Sequence, residues 1–267
     1  LRACRSQQVQ AVDEKPYVFP AQGEEELGGR PIIVGTGPAG LFCGYLLAKH
    51  GYRPLLIERG RCVEERQKDV ERFWREGVLD PSSNVQFGEG GAGTFSDGKL
   101  NTLVKDKYGR NREVLRIFVE NGAPEAILYE AKPHIGTDIL CRVVQNMREQ
   151  IISWGGEVRF GAQVTDLCCH AGQVTGVVIN GVEVIESDVV VLAIGHSARD
   201  TFEMLYHKQI PMEAKAFAVG LRMEHPRRLI DRMQFGMEEH PLLPAATYKV
   251  TVQTSSGRGV YSFCMCP

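Results

Sequence analysis

Apolar residues recur along this chain with two different periods, and the switches between them lay out its elements. The short continuous run Pro31-Ile32-Ile33-Val34 has the length and texture of a strand buried on both faces. A helical stretch follows from Leu41 to His50, closed by Gly51 at the position where helices commonly stop. A second buried-type strand, Arg53-Pro54-Leu55-Leu56-Ile57-Glu58, ends on an acid. Strand, glycine turn, helix and strand make one βαβ unit, whose crossover is expected to be right-handed.

Residues 61–76 predict a charge-dense helix ending at Gly77, with Val63, Val70, Phe73 and Trp74 on its packed face. A loop rich in small residues runs from Pro81 to Gly98, and residues 112–131 predict two short helices split by Asn121-Gly122-Ala123-Pro124. Thr137 or Asp138 is expected to cap a longer helix whose stripe is Ile139, Leu140, Val143, Val144, Met147 and Ile151, ended by Gly155-Gly156. Residues 157–167 alternate as a strand. Asn180-Gly181, between the valine-rich runs 174–179 and 182–185, predicts a hairpin through a type I′ turn, because both residues tolerate positive φ. Ser187 to Ile194 predicts a fully buried strand stopped by Gly195. Beyond about residue 205 the pattern turns mainly β: Phe217–Met223, Tyr248–Gln253 and Gly259–Cys266 are strand-like, and the last two are expected to pair as a hairpin.

Composition narrows the class of function. The chain has 267 residues with 31 Lys+Arg against 33 Asp+Glu, so 31 − 33 = −2, without the basic footprint of a nucleic-acid binder. No apolar run reaches the roughly 18 residues that span a bilayer. The eight cysteines include no CxxC or CxxxxC pair, and with no secretory signal in sight they read as reduced thiols in a cytoplasmic protein. No metal cluster or Ser/His/Asp arrangement stands out. Leu1 and the strand-like pattern running to Pro267 suggest a chain truncated at both ends. Glycine is in surplus, 29 residues or about 11% against a usual ~7%. Four lie within 35–44 and five within 88–98.

The first cluster carries recognisable chemistry. Gly35-Thr36-Gly37-Pro38-Ala39-Gly40 follows a strand and opens a helix, and Glu58 comes 58 − 40 = 18 residues later. Gly35 permits the tight turn, Gly37 lets the backbone approach a pyrophosphate, and Gly40 lets the helix pack closely on the sheet. The helix start at Pro38 and Ala39 offers the unpaired N–H groups that follow the proline to phosphates. Glu58 can accept hydrogen bonds from ribose hydroxyls, and its charge disfavours a 2′-phosphate, hence NADP, at this site. The second cluster, Gly88-Glu89-Gly90-Gly91-Ala92-Gly93, fits the same spacing but neither follows a convincing strand nor opens a helix. It is expected to be a loop touching the cofactor. About 95 residues separate the first βαβ unit from the return to the sheet, and a late strand, Val189–Gly195, follows a β-hairpin. That order is the pattern of two-dinucleotide-fold flavoproteins rather than of an NAD-only domain.

These segments, together with Glu58-Arg59-Gly60, Asn84 to Leu100, Lys132-Pro133-His134-Ile135-Gly136-Thr137-Asp138 and Ala193 to Asp200, resemble a family of bacterial FAD-dependent dehydrogenases. The likeness covers about residues 16–267. It implies the glutathione-reductase-type fold: a three-layer α/β, Rossmann-like FAD-binding domain over 31–205, with a β-hairpin or meander and a helical insertion at about 100–135. An incomplete β-rich substrate domain is expected over 206–267, and residues 1–30 as a linker or the remnant of a preceding domain. The implied cofactor is non-covalent FAD, with NAD(P)H as a possible transient reductant and an unidentified small molecule or electron carrier as substrate. Carried over by position, Gly35, Gly37, Gly40 and Glu58 hold the adenosine diphosphate end, and Arg59 is a further cofactor-binding candidate. Gly91, Gly93 and Thr94 lie near the isoalloxazine or ribityl chain, Val164 meets the adenine side, and Gly195 lets the chain pass the cofactor. Arg66 and Lys99 are candidates to place positive charge near phosphate or reduced flavin, and His196 and Lys99 are the candidate catalytic groups. His134 is read equally as a turn residue, and Cys264 and Cys266 as small core thiols, with a place facing a substrate pocket as the lesser alternative. The expected reaction is two-electron or hydride transfer through the flavin. The alternatives are an NAD-dependent dehydrogenase using the same βαβ unit, or a non-enzymatic protein with structural FAD.

Overall fold

The computed structural model describes residues 16–20, 23–95, 98–100, 102, 104–130 and 133–262. The chain divides into two units, residues 1–211 and 212–267.

The first unit is built on a four-stranded parallel sheet. Strand β1 (Ile32–Val34) leads through helix α1 (Pro38–Lys49) into β2 (Leu55–Ile57), the predicted βαβ unit. Helix α2 (Val63–Glu76) follows and ends on Gly77 in the left-handed conformation. After the glycine-rich loop come α3 (Arg110–Glu120) and α4 (Thr137–Ser153), then β3 (Glu157–Arg159). Three antiparallel strands, β4 (Val164–His170), β5 (Gln173–Ile179) and β6 (Glu183–Glu186), precede β7 (Val190–Leu192) and helix α5 (Arg199–His207). The parallel sheet has the order β3-β2-β1-β7. Its register pairs Ile33 with Leu56 on one side and with Val191 on the other.

Side-chain alternation through this sheet makes the layers. Ile33 and Leu56 pack on one face with α1, α3 and α4, joining Leu41, Tyr45, Ile117, Val143, Val144, Met147 and Ile151. Ile32, Val34, Leu55 and Ile57 pack on the other, against Val164, Leu167, Val177 and Ile179 of the antiparallel sheet and Leu205 of α5. The result is the expected three-layer α/β arrangement. Gly44 is required on α1 by the first core, since a Cβ there would come within 2.7 Å of the Leu56 side chain.

Several local expectations hold. Asn180 and Gly181 both take positive φ, 51° and 74°, and join β5 to β6 as a type I′ turn. In the second unit, strands β8 (Thr251–Gln253) and β9 (Gly259–Tyr261) pair as the predicted hairpin. Cys266 and Cys264 lie outside the described residues.

Other expectations are corrected. Residues 157–167 are two strands in different sheets. The chain leaves the parallel sheet after Arg159, and Gly161 N–H and Ala162 N–H bond to the carbonyls of Gly60 and Glu58 at the crossing. The strand within 187–194 is short and partly exposed because β7 is the last strand of its sheet. Residues 217–223 form no strand: among the described residues no strand pairs with them, and Phe217, Val219, Leu221 and Met223 stand 75–96% exposed. Helix α4 starts from Gly136 with no side-chain cap, Thr137 being its first residue. The second of the two short helices is a single 3-10 turn, Glu125–Leu128. A helix absent from the sequence reading, α6 (Arg227–Phe235), buries Ile230 and Asp231 in the second unit. Among the described residues, no helix is long and apolar enough to cross a membrane.

Candidate functional site

The carboxyl ends of β1, β2 and β7 open into a cleft of about 260 Å³, the place where parallel sheets bind ligands. Its floor is the turn between β1 and α1. Gly35 sits at φ +100°, and a Cβ there would come within 2.6 Å of the Ala193 carbonyl oxygen, so only glycine fits. Gly40 faces the carbonyl of Gly35 so closely that any side chain would overlap it. Gly37 is the N-cap of α1, with extended backbone and no side-chain cap, and Pro38 occupies the first helical position. The first turn of α1 holds no acid, so its unpaired N–H groups and the positive end of the helix dipole are uncompensated by a side chain.

The second glycine cluster lies directly on this turn. Gly90 N–H bonds to the Thr36 carbonyl at 2.9 Å. A Cβ on Gly91 would come within 3.1 Å of both Gly37 Cα and Pro38 Cδ, so the two segments are in backbone contact. The two glycine-rich stretches, about fifty residues apart, form one wall of the cleft.

Glu58 is 5% exposed at the end of β2. Its Oε2 accepts from Thr36 N–H at 2.8 Å and Thr36 Oγ1 at 2.9 Å, and its Oε1 accepts from Gly60 N–H at 2.9 Å. A carboxylate offers about four acceptor positions, so these three bonds leave room for one further donor. Glu58 is therefore a turn-holding residue as well as a cleft-lining one. Its neighbour Arg59 forks onto both carboxylate oxygens of Asp200 at 3.0 Å, bonds Thr201 Oγ1 at 3.1 Å, and lies over the Phe87 ring at 4.7 Å. This brings β2 and α5 together along the cleft edge.

Beneath the loop lies a buried ionic group. Glu89 is fully buried, and its Oε2 accepts from Val63 N–H at 2.8 Å and from Arg148 Nη1 at 3.2 Å. Its Oε1 has no partner. Burial pushes its carboxyl up to about 7, outweighing Arg148, which also serves Glu64 at 2.5 Å. Burial likewise raises the thiols of Cys43, Cys62 and Cys141, which fits small core groups rather than nucleophiles.

Of the residues singled out from the sequence, Gly35, Gly37, Pro38, Glu58, Arg59, Gly91, Val164, Gly195 and His196 line the cleft. Ala39 and Gly40 stand behind them in α1. Thr94 is buried, with its Oγ1 unpartnered, and neither it nor Gly93 is on the cleft wall. Lys99 and His134, joined by an antiparallel backbone bridge, are not among the residues that line the cleft. Arg66 is not on the cleft wall either: four of its five N–H donors go to loop carbonyls. His196 is exposed on the rim, with Nδ1 3.0 Å from Ser197 Oγ. Sequence reasoning missed Gln86, Phe87, Ala162, Ser197 and Thr201 as lining residues. Gln86 and Phe87 directly precede the glycine cluster and Ser197 follows His196, so these carried a positional signal; Ala162 and Thr201 carried none.

The cleft fits an adenosine diphosphate group. A Cβ on Gly195, at φ +67°, would meet no atom within 4 Å, and one on Gly37 would meet only Gly91 Cα at 3.9 Å. The glycines thus leave open space beside an uncapped helix start. Val34, Ile57, Ala162 and Val164 supply an apolar side, and Glu58 an acceptor.

Residues 216–267 match the family described as "FAD-dependent protein, C-terminal domain-like", and residues 33–72 match "NAD(P)-binding Rossmann-like domain". An "Uncharacterized protein" of Clostridium beijerinckii is 51% identical over 247 residues, which are 92% of this chain and 46% of the relative. The chain thus spans about half the length of that curated relative. Among solved structures, THI4 of Thermovibrio ammonificans is 25% identical, with a TM-score of 0.40 over 66% of this chain and 61% of that one. CtdE in complex with FAD is 18% identical, with a TM-score of 0.34 over 64% of this chain and 39% of that one.

Proposed function

We propose, for a chain whose matched segments support an FAD-dependent oxidoreductase family with FAD as the cofactor, that the cleft at the ends of β1, β2 and β7 holds the adenosine diphosphate half of FAD. One observation carries this reading: the glycine cluster at 88–93 docks on the turn 35–40, so that both line one groove at the start of α1. In this reading the pyrophosphate lies at the N–H groups of Ala39 and Gly40, with Gly37 and Gly91 leaving the space it needs. Glu58 accepts from a ribose hydroxyl with its remaining lone pair while it keeps Thr36 and Gly60 in place. Val164 and Ala162 cover one face of the adenine, and Arg59, steadied by Asp200, closes the outer edge.

When bound, FAD supplies two-electron or hydride chemistry at its isoalloxazine ring; the protein binds, orients and shields. His196 lines the cleft with an imidazole whose two ring nitrogens offer a donor and an acceptor, so it is the proposed proton-handling group. The substrate is proposed only as a small molecule or electron carrier able to exchange two electrons, with NAD(P)H as the candidate reductant.

The test is the visible absorption spectrum of the purified full-length protein, followed by anaerobic addition of NADH or NADPH. Flavin bands that bleach on addition support the oxidoreductase reading. A colourless protein that binds NAD instead overturns the FAD assignment. Flavin bands that no reductant bleaches overturn the enzymatic reading in favour of structural FAD.

A further inference from the structure

We infer that Arg66 is a positioning residue, which fixes the loop 84–91 onto the turn 35–40 and so shapes the cofactor groove without touching the cofactor. The inference rests on the FAD-site reading above. Arg66 projects from the first turns of α2 and is fully buried. Its Nε donates to the Asn84 carbonyl at 2.8 Å, and Nη2 to that of Val85 at 3.0 Å. Its Nη1 donates to the carbonyls of Glu89 at 2.6 Å and Gly91 at 2.8 Å. Four loop carbonyls are thereby drawn to one planar group, with the Phe95 ring 4.8 Å beneath it.

This arrangement needs the fork geometry of a guanidinium. A lysine offers three donors from a single point and cannot serve carbonyls at both ends of the loop at once. The loop is moulded around the same side chain: Gly88, at φ +116°, would place a Cβ 2.5 Å from Arg66 Cδ. Gly60, just after Arg59, would place one 2.5 Å from Gly88 Cα. With these carbonyls turned inward, Gln86, Phe87, Gly88 and Gly91 face the groove. Among the described residues Arg66 forms no ion pair. Glu58 and Glu89 act on it through space, yet burial dominates and lowers its guanidinium to about 10. A cation with four of its five N–H donors turned to loop carbonyls, off the cleft wall, is placed to hold backbone rather than to ligate phosphate.

The experiment compares the full-length wild type with Arg66→Lys and Asn84→Ala, first freed of FAD and then titrated with it. Asn84→Ala keeps the charge of Arg66 but removes the Asn84 side-chain bonds to Gln86 N–H, Phe87 N–H and the Asp80 carbonyl. In cofactor-free protein, hydrogen exchange at the Glu89, Gly90 and Gly91 amides is expected to accelerate at least tenfold in both variants, with Ile33 and Leu56 unchanged. FAD affinity is expected to fall at least tenfold in both, to the same extent at low and high salt, and no further in the double variant. Normal exchange in cofactor-free Arg66→Lys, with a salt-dependent loss of affinity, overturns the inference in favour of direct phosphate contact. A wild type that takes up no FAD overturns the reading on which the inference rests. Exchange then still decides the loop-holding role, and unchanged rates in both variants overturn it. Should Arg66→Lys fail to fold, Asn84→Ala carries the test, and normal exchange with normal FAD affinity in that variant overturns the proposal.

Discussion

At the scale of single residues, the glycines of the cleft divide by what a methyl group would meet. Gly37 opens onto space and Gly91 onto backbone. Gly37→Ala is therefore expected to leave the melting temperature of the cofactor-free protein nearly unchanged while lowering FAD retention by roughly tenfold or more, because its Cβ enters the groove proposed for the cofactor. Gly91→Ala combines φ +66° with a 3.1 Å approach to Gly37, so it is expected to cost about 1–3 kcal/mol of stability before any ligand is added. Thermal melts with and without FAD separate the two; equal losses of stability would contradict the geometry. Glu58→Ala leaves the buried N–H groups of Thr36 and Gly60 without their acceptor. It is expected to lose about 2 kcal/mol of stability as well as FAD content, since an orphaned buried donor costs roughly 1–3 kcal/mol. Unchanged FAD content in that variant would sink the placement of the ribose.

At the scale of elements, the parallel sheet works because each short strand is apolar toward both layers: Ile33 and Leu56 toward the helices, Ile32, Val34, Leu55 and Ile57 toward the antiparallel sheet. A three-residue strand has little hydrogen bonding of its own, so burial on both faces sets its place. The β5–β6 hairpin depends instead on its turn. Gly181→Val puts a β-branched residue at φ +74° and is expected to cost on the order of 1–3 kcal/mol in a denaturant midpoint, whereas Asn180→Gly is expected to be nearly neutral. Comparable losses for the two would mean that the turn does not set the register between Ile179 and Glu183.

At the scale of the whole molecule, Glu89 links stability to protons. Its folded-state carboxyl sits near 7, above the 4.5 of an ordinary glutamate, so between those values the native state holds a proton that the unfolded chain has released. Stability is therefore expected to fall as pH rises from about 4.5 to about 7, by on the order of 1–3 kcal/mol, and to level off above. Glu89→Gln removes that charge and should flatten this part of a stability–pH curve; a wild-type curve that rises through the window would show Arg148 holding the group ionised. The same carboxyl shows how the reading of a chain divides between sequence and fold. Sequence alone determined the βαβ unit and the hairpin turn, because these depend on local conformation: glycines where φ is positive or backbones touch, apolar runs of strand length, and Glu58 a fixed distance downstream; FAD as the cofactor rested on the resemblance of the motifs to a family. It misplaced residues 217–223, whose alternation promised a strand but which pair with no strand among the described residues. It also gave Arg66 and Lys99 to the cofactor because a cation in a motif looks the same whether it faces a phosphate or a carbonyl. Only the tertiary structure decided that Arg66 turns inward, that Lys99 pairs its backbone with His134 off the cleft, and that the glycines of 88–93 rest on those of 35–40. Those outcomes depend on which distant backbone groups are left needing a donor once the chain has packed, and no local pattern records that.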